Sequence, residues 1–370
     1  MEHSFTETIR AVLTNHFNDL ASEIFDNSPL LQYINKKTVS AQRGSKARAS
    51  FANLYAVYVL VEDYISNGYD KKIGYSTKYE GASFTALLKR VRELPFGSKL
   101  QNHALNNRMN DEFKKYFPNC ESVPIVRDRQ TNRYWINEKL LRVKCGGKKN
   151  NLAHVIIEII DEYIKAKKDS FRRFIEQCKR LENIDKDNEE KVCEFVIGLL
   201  ATNVDARLFE IVSYAILKNY YKDIEIYWGY SPNQLQQDSL KLYKTGRTNA
   251  NDGGIDFVMK PLGRFFQVTE TLDFKKYFLD IDKIEHYPIT FVVKSEDDEA
   301  TLRQRIYDDA LKTYTVEAVV QKQMDCIEEL INIQRLKEIF ECIRQRHDIP
   351  SILDEIILQS KIEFNFDEDI

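Results

Sequence analysis

The spacing of apolar residues predicts helices over most of the front of the chain. In residues 5–25 apolar side chains recur every three or four positions: Ile9, Val12, Leu13, Phe17, Leu20 and Ile24. Residues 51–61 are apolar on nearly every side, which predicts a buried helix, and residues 83–117 predict more helix with a break at Pro95. Strand formers and turns follow over 124–149, and helical patterns return over 152–182 and 189–201. A loose domain boundary is therefore expected near 150–185.

Residues 204–295 carry a different pattern, in which helices and strands alternate. A helix is predicted from Asp205, because an aspartate near a helix N-terminus is favoured by the helix dipole. One strand is predicted over 224–230, then a hairpin of two strands around the turn at 261–263. A helix over 272–286 and a buried strand over 288–294 complete the order helix, three strands, helix, strand. Beyond Asp297 the pattern is helical to Gln359, with one break at 347–350.

Composition indicates a folded protein, since 43% of the 370 residues are hydrophobic and 12% are aromatic. No run of about 18 uncharged apolar residues is present, so no membrane helix is expected. The first residues lack the basic and then apolar pattern of a signal peptide. The six cysteines are widely spaced without a CxxC pair, which indicates reduced thiols in a cytoplasmic protein rather than disulfides or a zinc site.

Charge is distributed unevenly although the net charge is only −3. The first 150 residues hold 24 Lys and Arg against 15 Asp and Glu, and the remaining residues hold 30 against 42. A basic front half is expected to bind an anionic partner such as DNA. The alternative is an uneven composition of no functional meaning, with an acidic tail at Asp367-Glu368-Asp369.

The strongest local motif is Asn251-Asp-Gly-Gly-Ile-Asp256, followed by Phe266-Gln-Val-Thr-Glu270. Paired glycines allow a close approach of backbone or phosphate. Asp256 opens one strand, while Gln267 and Thr269 share one face of the next because side chains alternate along a strand. A carboxylate and a second oxygen donor on paired strands suit Mg²⁺, and Glu210 on the preceding helix offers another carboxylate.

These elements resemble the PD-(D/E)XK nuclease superfamily, and within it a type II restriction endonuclease of the Mrr-like variant. The resemblance rests on the element order, the helix glutamate, Gly253-Gly254-Ile255-Asp256 and the following Gln267-Val268-Thr269. Residues 41–65 and 100–117 also resemble segments of bacterial restriction enzymes. The resemblance implies an α+β or α/β fold with an αβββαβ core, in which helices flank a mixed four-stranded sheet. A mainly helical N-terminal region and C-terminal helices would surround this core.

The resemblance also assigns roles to individual residues. Asp256 matches the central metal-binding aspartate, Gln267 the position of the first motif acid, and Glu210 the helix acid. Thr269 stands where the family usually has a lysine that orients or activates water. Lys275 or Lys276 would then substitute, or a metal-bound water would act without a lysine, or a local bulge would turn Glu270 inward as the acid.

Each of these residues also has a purely structural interpretation. The glycine motif is compatible with an ordinary turn, Gln267 and Thr269 with a solvent-facing strand surface, and Glu210 with a solvated helix charge. Two groups of basic residues are candidates for DNA contact, although charge runs commonly form solvated faces. These candidates are Lys36, Lys37, Arg43, Lys46, Arg48, Arg127 and Arg129.

The sequence therefore predicts a magnesium-dependent endonuclease that cuts double-stranded DNA at a specific sequence. Residues 1–185 would recognise DNA, 186–300 would form the nuclease core, and 301–370 would be a C-terminal helical segment. A palindromic target would suit a homodimer. A cognate DNA methyltransferase is expected in the same system, though not as a stable subunit. The alternatives are a catalytically inactive DNA-binding protein on a decayed nuclease fold and a helical interaction protein without DNA affinity.

Overall fold

The computed structural model describes residues 2–39, 47–98, 100–182, 189–245 and 255–364. They divide into two compact units. Residues 176–363 make up the second unit, and the described residues before them, with Phe364, make up the first. Within the described ranges no helix is long and apolar enough to cross a membrane.

The first unit is mainly helical, with small antiparallel sheets. Its helices are α1 (Ser4–Phe17), α2 (Ala21–Asn27), α3 (Pro29–Thr38), α4 (Ala47–Ser66), α5 (Tyr75–Lys78), α6 (Phe84–Glu93), α7 (Met109–Tyr116), α8 (Glu138–Leu141) and α9 (Ala153–Glu182), which continues into the second unit. Its strands are β1 (Ala82–Ser83), β2 (Ile125–Asp128), β3 (Arg133–Ile136), β4 (Arg142–Cys145) and β5 (Lys148–Asn151). The three strands β1, β3 and β2 form one sheet, and β4 and β5 form a hairpin.

The core of the first unit is centred on α4, whose apolar residues are buried around its circumference, as predicted. Leu54, Tyr55, Ala56 and Val57 are successive and fully buried, so neighbouring elements cover the helix on all sides. The single helix predicted over 5–25 is instead broken at Asn18, whose φ of 49° ends α1 before a short 3₁₀ turn. A left-handed residue cannot continue an α-helix, and asparagine tolerates that conformation.

The second unit alternates helices with strands. Its elements are α10 (Glu189–Gly198), α11 (Ala206–Tyr221), β6 (Glu225–Trp228), β7 (Gln236–Ser239), β8 (Lys241–Lys244), β9 (Phe257–Lys260), β10 (Arg264–Thr269), α12 (Phe274–Lys283), β11 (Ile289–Val293), α13 (Glu299–Leu311), α14 (Glu317–Asp325), β12 (Ile327–Ile331), α15 (Ile333–Gln345) and α16 (Ile349–Phe364). Together with the first unit they make a mixed α/β protein, in agreement with the coarse class predicted from the sequence.

A five-stranded mixed sheet organises this unit, with strand order β12-β11-β10-β9-β8. The strands β8, β9 and β10 are antiparallel neighbours, whereas β10, β11 and β12 are parallel. One face carries Ile289, Phe291 and Val293 into a core shared with α12, α13 and α14. On the opposite face Tyr214 and Tyr221 of α11 pack on Phe257 and Phe266.

Two details of the predicted core are corrected. The strand predicted over 224–230 is β6, but it pairs with β7 in a separate ribbon, and the strand beside β9 is β8. The segment after Asp297, predicted to be helical, contains β12. Its five residues are too few to establish a period against two flanking helical patterns. The sheet therefore has five strands instead of four, and residues 301–363 lie in the same compact unit as the sheet.

Candidate active site

Glu210 is held on the sheet-facing side of α11. The Asp205 side chain caps this helix by accepting a hydrogen bond of 2.7 Å from the Arg207 backbone N–H, as an N-terminal aspartate should. The helix then places Glu210 among buried residues, with 6% of its surface exposed. A carboxylate this deeply buried must be paired or neutral, because removing a charge from water is costly.

Asp256 lies at a local irregularity just before β9. Its N–H donates to the Phe266 carbonyl at 3.1 Å, while the next residue, Phe257, is itself in register with Phe266. Two residues of one strand thus oppose one residue of the next, which is the arrangement of a β-bulge. The Asp256 Oδ2 accepts a hydrogen bond of 2.8 Å from the Val268 N–H, so the carboxylate is fixed against β10.

The two carboxylates interact electrostatically, although they come from different elements. Burial, and then the charge of Asp256, raise the pKa of Glu210 to about 7. Burial also raises the pKa of Asp256 to about 6, against the opposing effect of the Val268 N–H and of Arg207 and Lys244. Paired acids with raised pKa values are typical of sites that carry out chemistry or bind cations.

Two cationic side chains complete the cluster. The Arg207 guanidinium donates to Glu210 Oε2 at 3.0 Å and lies 3.5 Å from the Glu363 carboxylate of α16. The Lys244 Nζ, at the end of β8, lies 3.3 Å from Glu210 Oε1, with 15% of its side chain exposed. Both cations also stabilise the charged form of Asp256. We call Glu210, Asp256, Arg207 and Lys244 the carboxylate site.

Gln267 and Thr269 face away from the carboxylate site. In the parallel ladder Gln267 is in register with Phe291 and Thr269 with Val293, and those two residues belong to the core on the α12 side. The Gln267 Oε1 is buried and accepts no hydrogen bond from the described residues. The Thr269 hydroxyl exchanges hydrogen bonds with the backbone of Thr271, which is a local turn contact. The structure therefore brings Glu210 and Asp256 together but not Gln267 or Thr269.

Glu270 forms a second charged pair at the end of β10. Its Oε1 accepts a hydrogen bond of 2.7 Å from Lys294 Nζ, whose side chain is only 3% exposed. The same ammonium group contacts the Val204 carbonyl just before α11 and lies 5.8 Å from the centre of the Phe209 ring. Lys275 and Lys276, the lysines considered as substitutes for Thr269, are exposed in the first turn of α12.

The predicted DNA-binding residues of the first unit occupy varied environments. Lys37 forms an ion pair with Glu112 and is 11% exposed, and Lys36 lies 4.6 Å above the Tyr116 ring. Arg127 and Arg129 are exposed at β2 and the turn after it. Arg43, Lys46 and the glycine motif 251–254 lie outside the described residues, as does the Arg48 side chain.

Sequence reasoning did not identify Arg207, Lys244 or Lys294. One signal was available for Lys294, because it directly follows the run Ile289–Val293, which is apolar except for Thr290, and so had to be placed at the end of a buried strand. For Lys244 the signal was its position two residues after Leu242 in β8, because residues two apart in a strand have side chains on the same face. The link from Arg207 to Glu363 joins residues far apart in sequence, and no local pattern indicates it.

The donor set is sparse for a metal ion. Among the described residues no three His, Cys, Asp or Glu side chains are grouped to hold one. Mg²⁺, however, is often held by one or two carboxylates, with water and substrate phosphate in the other positions. Glu210 and Asp256 fit that requirement, and Gln267, on the opposite face, does not contribute.

No protein-family model, no curated protein and no solved structure matches the chain.

Proposed function

We propose that this protein is a magnesium-dependent endonuclease that hydrolyses phosphodiesters of double-stranded DNA at a specific sequence. The observation that carries the proposal is the pair of buried carboxylates, Glu210 and Asp256, with raised pKa values and two neighbouring cations. Such a pair is costly for folding alone, because each acid disfavours ionisation of the other. A divalent cation would relieve that repulsion.

The order of the elements gives further support. The chain runs from α11 through the antiparallel strands β8, β9 and β10 to α12, and then to β11, parallel to β10. This order is similar to the helix, three strands, helix, strand order of the PD-(D/E)XK core, if the β6–β7 ribbon is taken as an insertion and β12 as an addition at one edge. Glu210 lies on the first helix and Asp256 at the start of the second strand, where that core carries acids.

The cation and the cationic side chains would have distinct roles. When bound by Glu210 and Asp256, Mg²⁺ would acidify water and neutralise charge that develops on the phosphodiester. Lys244 is our candidate for the role of the motif lysine, because its Nζ is 3.3 Å from Glu210 Oε1 and influences the ionisation of Asp256. Arg207 would hold the Glu210 carboxylate in place through its 3.0 Å hydrogen bond.

Cleavage of a large mapped DNA tests the proposal. The wild-type protein is expected to yield discrete fragments with Mg²⁺ and none with EDTA, and Asp256→Ala is expected to yield none. Asp309→Ala, which removes an exposed acid on α13, is the matched control and should cut normally. Fragments that persist with Asp256→Ala would place the active site elsewhere.

A second candidate is a DNA-binding protein on an inactive nuclease fold. Both Glu210 oxygens already have cationic partners, at 3.0 Å and 3.3 Å, and Thr269 replaces the motif lysine. This candidate predicts DNA binding that is unaffected by EDTA, with intact DNA under Mg²⁺, Mn²⁺ and other divalent cations. The homodimer expected for a palindromic target stays a prediction, to be checked by sedimentation of the purified protein.

A further inference from the structure

The β6–β7 ribbon, residues 225–239, has no role in the carboxylate site. It is inserted between α11 and β8, and its strands pair antiparallel, with Tyr227 opposite Gln237. Among the described elements the two strands pack chiefly on each other. Two isolated strands have little core of their own, so packing within this unit does not explain why the ribbon projects.

The tip of the ribbon exposes large side chains on a tightly built turn. Tyr230 is 95% exposed, and Tyr227 and Leu235 are also exposed. The turn is nevertheless well defined, because the Gln234 N–H donates to the Ser231 carbonyl at 2.9 Å. A Cβ at Gly229 would lie only 2.3 Å from the Gln234 carbonyl oxygen. A rigid turn that presents an exposed aromatic ring is typical of a binding element.

The polar residues of the ribbon suit the edges of base pairs. Four exposed amide side chains lie in or beside its tip: Asn233, Gln234, Gln236 and Gln237. Lysine and arginine are absent from residues 225–239, so the ribbon is not built to bind phosphates. A two-stranded ribbon fits the major groove of DNA, where Asn and Gln amides pair with adenine.

Basic side chains lie instead at the root of the ribbon, where β7 leads into β8 and β8 pairs with β9. Lys241 of β8 is directly opposite Lys260 of β9, and like charges in such a pair destabilise a sheet. Asp238 compensates Lys241 at 2.9 Å, whereas Lys260 has no ion pair with a described carboxylate and lies 5.7 Å from the centre of the Tyr243 ring. Two adjacent cations with one uncompensated charge complement a DNA backbone.

The same strand connects this root with the carboxylate site. Lys241 and Lys244 are the first and last residues of β8, so about 10 Å of strand separates them at ~3.4 Å per residue. Lys241 and Tyr243 lie on one face of the sheet, and Leu242 and Lys244 on the other, which faces α11. Lys241 and Lys260 therefore lie within about 10 Å of Lys244 along the strand, on the opposite face of the edge strand β8.

We propose that the β6–β7 ribbon is the specificity element of this protein, which inserts its tip into the major groove while Lys241 and Lys260 grip the backbone. Tyr230, Gln234 and Gln236 are the residues that contact bases, whereas the Gln237 amide donates to the Glu225 carboxylate at 2.8 Å. This inference rests on the proposed function only in taking double-stranded DNA as the substrate; cleavage is not required for it.

Photocrosslinking in EDTA tests the contact without any reaction. Benzoylphenylalanine is placed at Tyr230 or, as a control, at Val319, an exposed residue of α14. The full-length protein is then irradiated with labelled duplex DNA of mixed sequence. We expect a protein–DNA adduct from position 230 and none from position 319.

A salt titration tests the lysine pair. Lys241→Gln with Lys260→Gln is expected to weaken binding to the same duplex about tenfold and to reduce the log–log salt slope by about two. The control is Lys312→Gln with Lys322→Gln. Lys312 is a close match for Lys241, because each pairs with an aspartate three residues earlier, at 2.6 Å and 2.9 Å.

The outcomes separate this inference from the nuclease proposal. Crosslinking at position 230 by a protein that cuts no DNA with any metal would support the ribbon and overturn the nuclease. Cleavage that proceeds normally, with no adduct at position 230 and an unchanged salt slope, would overturn the ribbon alone. Absence of DNA binding by the wild-type protein would overturn both.

Discussion

At the scale of single residues, the burial of two acids beside each other is the central feature of the second unit. Glu210 and Asp256 are each fixed by specific partners, Arg207 and Lys244 for the former and the Val268 N–H for the latter. Replacing such a cluster by apolar residues would be expected to cost nothing in stability or even to increase it. The chain therefore keeps an arrangement that is unfavourable for the metal-free fold.

This burial predicts how the stability of the metal-free protein depends on pH. Because the folded pKa values of Glu210 and Asp256 are raised to about 7 and about 6, the folded state favours their neutral forms. Their contribution to the unfolding free energy is fully present below about pH 4 and falls as the pH rises to 7, by on the order of 3 kcal/mol for each acid. Thermal unfolding in EDTA at pH 5 and pH 8 measures it.

Glu210→Gln should reduce this dependence, because the amide does not ionise. Glu338→Gln, which changes an exposed acid of α15, should leave the difference between the two pH values as in the wild type. An equal pH dependence in the wild type and in Glu210→Gln would contradict the burial argument.

Lys244 gives a second prediction at this scale. Removal of its charge by Lys244→Met should lower the rate of DNA cleavage about 100-fold or more, the usual effect of losing one electrostatic contact to a transition state. Lys275→Met, at an exposed lysine that the sequence also offered, should cut like the wild type. Initial cleavage rates at saturating Mg²⁺ compare the two variants. A larger loss of rate in Lys275→Met than in Lys244→Met would assign the role of the motif lysine to α12.

At the scale of elements, the Gly229 turn determines the shape of the β6–β7 ribbon. A methyl group at this position would meet the Gln234 carbonyl oxygen at 2.3 Å, so Gly229→Ala should open the turn locally. We expect faster hydrogen exchange in residues 225–239 and little change in the melting temperature. Gly198→Ala, where no atom lies within 4 Å of the added Cβ, is the control. Unchanged hydrogen exchange in the ribbon would show that the turn accommodates the added methyl group without opening.

The elements with a strong local pattern were predicted well from the sequence. The apolar circumference of α4, the cap at Asp205, the hairpin of β9 and β10 and the buried strand β11 are all confirmed. The pairing partners of the strands were harder to predict. The alternating pattern is clearer in β6, but β6 pairs with β7, and it is β8 that pairs with β9 in the five-stranded sheet. Pairing is decided by packing against α11, which the local sequence does not encode.

Prediction of the site residues from the sequence was limited in the same way. Glu210 and Asp256 were named from residue type and element order, and the structure brings them together. Gln267 and Thr269 were expected on the same side, but the registers with Phe291 and Val293 place them on the opposite face. A shift of one residue at a bulge changes the face of every following side chain, and alternation alone cannot locate such a shift.

At the scale of the whole molecule, the two units differ in charge as well as in architecture. The basic excess lies in the first 150 residues and the acidic excess in the rest. A protein that must bring buried carboxylates near a polyanion needs cations elsewhere to offset the repulsion. Under the proposed function, exposed basic residues of the first unit such as Arg127 and Arg129 would provide cations of this kind.

If the protein binds DNA as proposed, this division of charge predicts that the binding depends steeply on salt concentration. Arg127→Gln with Arg129→Gln should weaken the affinity for duplex DNA equally for all sequences and lower the log–log salt slope by up to about two. Arg305→Gln, at an exposed arginine of the second unit that pairs with Asp297, should leave the slope unchanged. Fluorescence anisotropy from low to high salt provides the measurement. If the log–log salt slope is unaffected by the Arg127 and Arg129 changes, these two residues do not contact the DNA backbone, and the basic excess would instead serve solubility.

The order of strands in the sheet has a consequence for synthesis on the ribosome. From β8 to β12 the spatial order of the strands is the same as their order along the chain, so each strand can dock beside its predecessor as it emerges. Until residues 327–331 leave the exit tunnel, the edge of the growing sheet is the mostly apolar strand Ile289–Val293. Nascent chains stalled between β11 and β12 should therefore be the ones that chaperones retain.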